Sequence, residues 1–375
     1  MTRLSRVGTV IAALAVAGMV AACGATTQNP NASGGSGASG GSASGGSAAS
    51  SSSGGSSASS SSGGSAASGS STSGSTSGSS ASGSSASASG SASSGASSAE
   101  PEPLNLNLPK DDALAALVPA SIASKGTLTI ATDASYAPNE FLKNGEGDPI
   151  GMDVDLGNAI AQVLGLKTEW KNTTFNGIIA GINAGRYDLS LSSFTDTKER
   201  EQQVNFVTYL TAGVSIVVAK GNPENINAAV DLCGKKVGAE TGTTEEDMLT
   251  KADVDDSVVK VCKDAGKDAP QYSGYPNQSD VNAALAAGRL DAYMADTPVA
   301  EYAVATTGDK FEKVGKDVGV APYGIAVPKD PAGLTTAIQK ALQKLMDDGS
   351  YQKILDNWGL GDSAIKTAEV NKAIF

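Results

Sequence analysis

The sequence predicts an α/β fold built of two related halves, and three observations carry that expectation. From Gly126 onward, β-branched apolar runs alternate with helix-periodic segments in a βαβαβ rhythm. The stretch Ile182-Asn183-Ala184-Gly185-Arg186-Tyr187-Asp188 returns as Leu285-Ala286-Ala287-Gly288-Arg289-Leu290-Asp291, each time a helix end, an Ala-Gly-Arg turn and a strand start. Two short apolar runs, 215–220 and 323–328, lead into polar, Pro-containing turns and are candidates for two chain crossings between the halves.

The elements follow in order. Residues 127–131 (Thr-Leu-Thr-Ile-Ala) form a β-branched strand that runs straight into Thr132-Asp133. Asp153-Val154-Asp155-Leu156 opens a helix that continues through Ala159, Ile160 and Val163 and stops at Gly165, a natural residue just past a helix end. Residues 167–170 are a strand, Ile178, Ile179 and Ile182 mark a helix closed by Gly185, and 187–191 are again a strand. The second unit repeats the pattern: a strand at 236–239, the turn Gly242-Thr243-Thr244, and a polar helix start at Glu245. Ser279-Asp280 caps a helix through Ala283, Ala284 and Ala287, and the strand 290–294 ends at Asp296. Residues 334–358 read as helical, with Ile338, Leu342 and Leu345 on one face. A parallel α/β sheet of this kind places functional loops at the carboxyl ends of its strands.

What precedes this part differs in kind. Arg3 and Arg6, the apolar run 7–19 and the small residues Val20-Ala21-Ala22 read as an export leader of residues 1–22. The apolar run is too short for a comfortable permanent span. Cys23 follows directly, and Cys23-Gly24 after small residues resembles the bacterial lipoprotein signal, in which the cysteine is acylated and becomes the mature N-terminus. The plainer alternative is an ordinary leader with an incidental Cys. From 24 to 99 the chain holds no charged residue and after Asn31 is almost wholly Ser, Gly and Ala. Residues 23–103 are expected to be a disordered tether, since such side chains cannot offset the entropy of ordering. As a flexible coil it reaches roughly 45–50 Å. Residues 104–118 are expected to cap the folded part.

Charge and composition remove several function classes. Without Arg3 and Arg6 the chain carries 25 of its 27 bases against 39 acids, a net charge of about −14. A general nucleic-acid binder needs a basic face instead. The absence of His excludes His-based zinc sites, Ser-His-Asp triads and Cys-His dyads.

Five motifs, in order and at matching spacing, carry a family resemblance. They are Thr132-Asp133-Ala134-Ser135-Tyr136-Ala137-Pro138, Gly151-Met152-Asp153-Val154-Asp155-Leu156, Ser192-Ser193-Phe194-Thr195 with Arg200, Gly242-Thr243-Thr244, and Asp291-Ala292-Tyr293-Met294-Ala295-Asp296. Residues from about 125 to 360 thereby resemble the family 3 extracellular solute-binding proteins of polar amino-acid ABC transporters. The resemblance implies the two-lobe fold of type II periplasmic binding proteins, with lobes joined by two crossing strands. The expected division is 104–214 and 324–375 for lobe 1 and 215–323 for lobe 2, with hinges near 214–220 and 322–328. It further implies a monomer without cofactor or metal that hands an amino acid to permease subunits from the outer side of a cell membrane.

A cleft that removes a zwitterion from water must pair both its charges. The resemblance places Arg200 on the ligand carboxylate, where a guanidinium fork gives two parallel charge-assisted bonds. A surface Arg pairing with Glu199 or Glu201 is the plainer alternative. Ser192, Ser193 and Thr195 stand where the family donates hydroxyl and backbone N–H to the same carboxylate. Thr243 and Thr244 complete that shell from the other lobe, with Gly242 permitting close backbone approach. Asp296 accepts from the ligand ammonium, although a helix N-cap is common for such an Asp. Tyr136 and Phe175 resemble the aromatic pair around the ligand side chain, and Asp133 the acid at its distal nitrogen. Glu240 stands where the glutamine-binding relative carries a Lys. Acids without His or Lys favour a cationic side chain, with glutamine or another neutral polar residue as the alternative.

Cys233 and Cys262 fall in the second lobe and, after export, are expected to form a disulfide. Two rival functions remain open at this level: a cyclohexadienyl dehydratase on the same fold, with Glu140 or Glu240 as general acid, and a tethered amino-acid sensor.

Overall fold

The structure, a computed structural model, describes residues 101–329 and 333–375. The leader, Cys23 and the tether up to residue 100 lie outside the described residues. The described residues form eleven strands: β1 (Thr127–Thr132), β2 (Ser135–Tyr136), β3 (Glu140–Leu142), β4 (Pro149–Ile150), β5 (Lys167–Asn172), β6 (Leu189–Ser190), β7 (Val204–Ala219), β8 (Lys236–Glu240), β9 (Gln271–Tyr275), β10 (Ala292–Asp296) and β11 (Phe311–Pro328). Eight form one sheet in the order β5-β1-β6-β11-β7-β10-β8-β9, and β2-β3-β4 form a small antiparallel sheet.

The order exposes an internal repeat. β5, β1 and β6 run parallel, and so do β9, β8 and β10, with the first strand of each trio in its middle. Helices Met152–Leu164 and Ile178–Asn183 make the crossovers in the first trio, and Gln278–Ala286 leads back into the second. The Ala-Gly-Arg turns are the same structure twice. Gly185 and Gly288 sit at φ +70° and +67°, where a side chain would be strained. Arg186 N–H donates to the Gly181 carbonyl and Arg289 N–H to the Ala284 carbonyl, the 6→1 bond that closes a helix. Asp188 then takes the N–H of Thr129, and Asp291 that of Lys236, so each aspartate ties its strand to the middle strand of its trio.

β7 and β11 pair antiparallel through the centre of the sheet. The short runs expected at 215–220 and 323–328 are the ends of strands 16 and 18 residues long. Their apolar character is diluted elsewhere by residues such as Thr208, Lys316 and Asp317, which hid the continuation. One large core, from Val118 to Ala368, includes Tyr209, Leu210 and Ala212 from β7 and Tyr323, Ile325 and Val327 from β11. Val214, Ile216 and Val218 belong to a different cluster with Val237, Met248 and Met294. The chain therefore passes from one lobe to the other at Gly213 on β7.

Three local readings are corrected. The helix expected over 334–358 is two, Leu334–Asp347 and Ser350–Asn357, broken at Gly349 with φ +79°. The cap at 279 belongs to Asn277, whose side chain accepts from Asp280 N–H. The helix expected from Glu245 begins at Thr244, capped by Thr243. Residues 104–118 do pack on the large core through Leu104, Leu106, Leu108, Leu114 and Leu117. Asp155 accepts from Leu104 N–H at 2.8 Å and Trp358 Nε1–H at 2.7 Å, joining the 104–118 segment and the end of helix Ser350–Asn357 to one helix. No helix of the described residues is long and apolar enough to cross a membrane.

Cys233 and Cys262 are bonded across 29 residues, with Cys262 fully buried in the second-lobe core. A loop of that length stabilises by about 3–4 kcal/mol on the chain-entropy account. Replacing both with Ala should lower the unfolding free energy in urea by that order, while leaving the fold intact at 25 °C.

Candidate functional site

Most candidate residues sit at or just past the carboxyl end of a parallel strand, while Tyr136 lies in β2 and Arg200 in the helical turn after β6. Asp133 follows β1, Phe175 follows β5, Ser192, Ser193 and Thr195 follow β6, Glu240 ends β8, and Asp296 ends β10. The two trios point these ends at one another, and eleven of the twelve expected residues line a common cavity. Gly242 is the exception; its carbonyl lies beside the cavity and accepts from Arg200 Nη2–H at 3.0 Å. Two further acids, Glu140 and Glu245, complete the lining.

Arg200 lies in a single helical turn, Lys198–Glu201, whose N-cap Thr197 accepts from the Arg200 N–H. Its Nη1–H donates to the Thr195 carbonyl at 2.9 Å. The guanidinium carbon stands 5.4 Å from the Phe175 ring centroid and 5.3 Å from that of Phe194. Those rings stack on each other at 4.2 Å, so the cation rests on a double aromatic cushion. Burial pulls the Arg200 pKa down, and Glu245, Asp247 and Asp296 oppose the shift.

Across the cleft, Asp296 occupies the N-cap position of helix Thr297–Thr306 yet caps nothing with its side chain. Its Oδ2 accepts from Tyr136 O–H at 2.9 Å, and its own N–H donates back to that oxygen at 3.1 Å. Gln278 N–H donates to Ser135 Oγ at 3.1 Å nearby. Gly242 has φ +89°, and a Cβ there would stand 2.8 Å from Asn176 Cβ. Its missing side chain lets the second lobe press directly on the first. Thr243 is committed to its own turn, accepting from Glu246 N–H and donating to the Glu240 carbonyl.

The two serines are held from beneath. Ser192 Oγ accepts from Asp133 N–H at 2.9 Å and donates to Glu140 Oε1 at 3.3 Å. Ser193, at φ +50°, gives its N–H to Asp153 Oδ2 at 3.0 Å and its hydroxyl to Glu140 Oε2 at 3.2 Å. Tyr209 O–H adds a second donor to Asp153 Oδ2 at 2.9 Å. Glu140 and Asp153 are both almost wholly buried. Burial, with Asp153 close by, pushes the Glu140 carboxyl well above its usual range, and burial lifts Asp153 to about 6. Burial thus disfavours the doubly ionised state of the pair.

The lining is strongly acidic. Asp133 faces Glu240 from the opposite lobe, and burial raises both. Burial likewise raises Asp296 and Glu245, with Glu245 adding to the rise at Asp296. One oxygen each of Glu240 and Glu245 is buried without a hydrogen-bond partner. The space left among these side chains is about 10 Å³, room for one water. Among the described residues no cluster of acids and cysteines has metal-binding geometry.

Sequence reasoning missed Glu245 and Phe194 as parts of the site, and offered Glu140 only as the general acid of a rival function, without its partner Asp153. An acid in the first turn of a helix reads as a solvated partner of the helix dipole, and only the opposing lobe buries Glu245. Phe194 was visible inside Ser-Ser-Phe-Thr, but its cushioning role depends on where Arg200 folds back.

Glu140 gives a pH test. A carboxyl raised in the folded state favours folding below its ordinary value of 4.5. That contribution is lost as pH rises from there toward the folded-state value. Glu140→Gln should therefore flatten the fall in stability above pH 4.5 relative to the unaltered protein, read as melting temperature against pH.

Comparison with known proteins agrees with this geometry. The bacterial extracellular solute-binding proteins, family 3, match residues 128–361. An arginine-binding protein of Corynebacterium glutamicum is 32% identical over 259 residues, covering 68% of this chain and 82% of the relative. The lysine/arginine/ornithine-binding periplasmic protein of Escherichia coli is 34% identical over 257 residues, covering 64% and 93%. Among solved structures, an ancestral arginine-binding protein bound to arginine superposes with a TM-score of 0.55 at 39% identity, covering 62% of this chain and 98% of that one. These relatives are named as binding proteins rather than enzymes, and this chain, with its two lobes meeting over an acidic cleft, belongs to the family 3 extracellular solute-binding proteins.

Proposed function

We propose that the protein captures a basic L-amino acid and delivers it to the membrane subunits of an ABC importer. The observation that carries the reading is the charge of the cleft: Asp133, Glu140, Glu240, Glu245 and Asp296 line it against one guanidinium. A ligand that adds a second cation relieves buried like-charge repulsion, whereas an acidic ligand would increase it. Arg200 pairs with the ligand carboxylate, Asp296 with its ammonium, and Asp133 with Glu240 takes the side-chain cation. Tyr136, Phe175, Ser192, Ser193, Thr195, Gly242, Thr243 and Thr244 complete the enclosure. Relatives named for arginine and for lysine, arginine and ornithine support the same class.

Capture requires motion. Small-ligand pockets span roughly 300–1,000 Å³, far above the space between the closed lobes, so the lobes part about β7 and β11 and close again on the ligand. Binding then shifts a population of open and closed forms. The leader and Cys23 support a lipid anchor on the outer face of the membrane, with residues 23–103 as the tether and the folded part a monomer.

Titration calorimetry with arginine, lysine, ornithine, glutamine and glutamate tests the class: micromolar or tighter binding of the basic members, with none for glutamate, is the expected result. Arg200→Ala or Asp296→Ala should weaken binding by about 2–3 kcal/mol, since each strands a desolvated charge; unaltered affinity in either would refute the assigned role. Arginine needs Asp133 and Glu240 ionised, whereas burial on closure favours their protonated forms, so arginine binding should release protons at pH 5 and tighten as pH rises to 8. Repeating the titration in buffers of different ionisation enthalpy measures that release.

A further inference from the structure

The chain continues past the family match, which ends at residue 361. Residues 369–371 lie along the outer part of β7. Thr208 N–H donates to the Glu369 carbonyl at 2.9 Å, Asn371 N–H to the Phe206 carbonyl at 3.0 Å, and Phe206 N–H to Asn371 Oδ1 at 2.8 Å. Beyond them the chain turns onto the segment that carries Arg200. Lys372 N–H donates to Asp196 Oδ2 at 2.7 Å, Ala373 N–H to Glu201 Oε1 at 3.0 Å, and Lys198 N–H to the Phe375 carbonyl at 3.0 Å. These three bonds reach the Arg200 turn on both sides.

We propose that residues 369–375 form a strap that positions Arg200, and so sets how strongly the cleft recognises a carboxylate. The proposal rests on the reading of Arg200 as the carboxylate partner. A turn of four residues does not hold itself, because helix nucleation is unfavourable and each end leaves backbone groups unpaired. Thr197 satisfies one of them; the strap fixes the turn from outside. Asp196 is fully buried, which makes its bond to Lys372 a defined anchor rather than a surface contact. Burial pushes its carboxyl up to about 7, so an uncharged amide is a fair mimic there. No residue of 369–375 lines the cleft cavity. The strap therefore does not touch a ligand in the cleft, and the three bonds above join it to the segment that carries Arg200. Phe375 also borders a crevice shared by Thr197 and Lys198 of one lobe and Thr244 and Met248 of the other, so the strap ends at the seam that closes.

The test compares arginine with argininamide, which lacks the carboxylate charge, by calorimetry on the full chain and on variants. Deleting 372–375, or Asp196→Ala, should weaken arginine about tenfold or more, the scale of losing one well-placed charge-assisted bond. Argininamide should change less than about twofold by the same reasoning, so the preference for the acid shrinks. Asp196→Asn, whose carbonyl oxygen can still accept from Lys372, should restore that preference. Equal losses for both ligands, no loss for either, or a deletion that no longer melts cooperatively would each overturn the proposal. If the unaltered protein binds no basic amino acid, the ligand class fails on its own. The same comparison is then made with the amino acid it does bind and that amino acid's amide. An unaltered protein indifferent to the carboxylate, or one that binds no amino acid, overturns the strap.

Discussion

A buried surplus of carboxyl groups around one guanidinium is the constraint from which the cleft takes its character. Charges removed from water must be paired or neutralised, and the lining holds five acids for one Arg200. In the closed arrangement burial favours the protonated forms of these acids, Tyr136 O–H donates to Asp296 and the serine hydroxyls donate to Glu140. Each of these is weaker compensation than a fixed positive charge in the same place. The arrangement is assembled from two surfaces, with Asp133 and Glu140 on one and Glu240, Glu245 and Asp296 on the other.

Much of the architecture was legible because it is written in local signals. The Ala-Gly-Arg turns needed glycine at positive φ and an aspartate three residues on to hold the middle strand, and both requirements show as residue types at fixed spacing. The cleft residues were legible for a related reason: strand ends in a parallel sheet are the places where side chains escape the core, and Asp133, Glu240 and Asp296 stand there. Lengths were less legible. β7 and β11 each serve two cores in succession, so their apolar pattern changes partway and only the better half reads as a strand. The break at Gly349 was missed because apolar spacing continues across it.

What could not be read concerns partners distant in sequence. Glu245 resembles any acid at a helix start until the opposing lobe covers it. Asp296 resembles an N-cap, occupies the cap position, and still spends its side chain on Tyr136, 160 residues away. Gly242 looked like room for a ligand; its bare backbone is also where Asn176 of the other lobe comes within contact. In each case the deciding neighbour belongs to the half of the molecule that local pattern does not describe.

The pairing of β7 with β11 at the centre of the sheet has a mechanical consequence. Both covalent links between the lobes run side by side, antiparallel and hydrogen-bonded to one another on either side of Gly213. Two adjacent tethers resist sliding and separation far more than they resist bending or twisting about their common line. Relative movement of the halves is thereby reduced to little more than an angular coordinate, and differences in cargo size would be registered as differences in that angle.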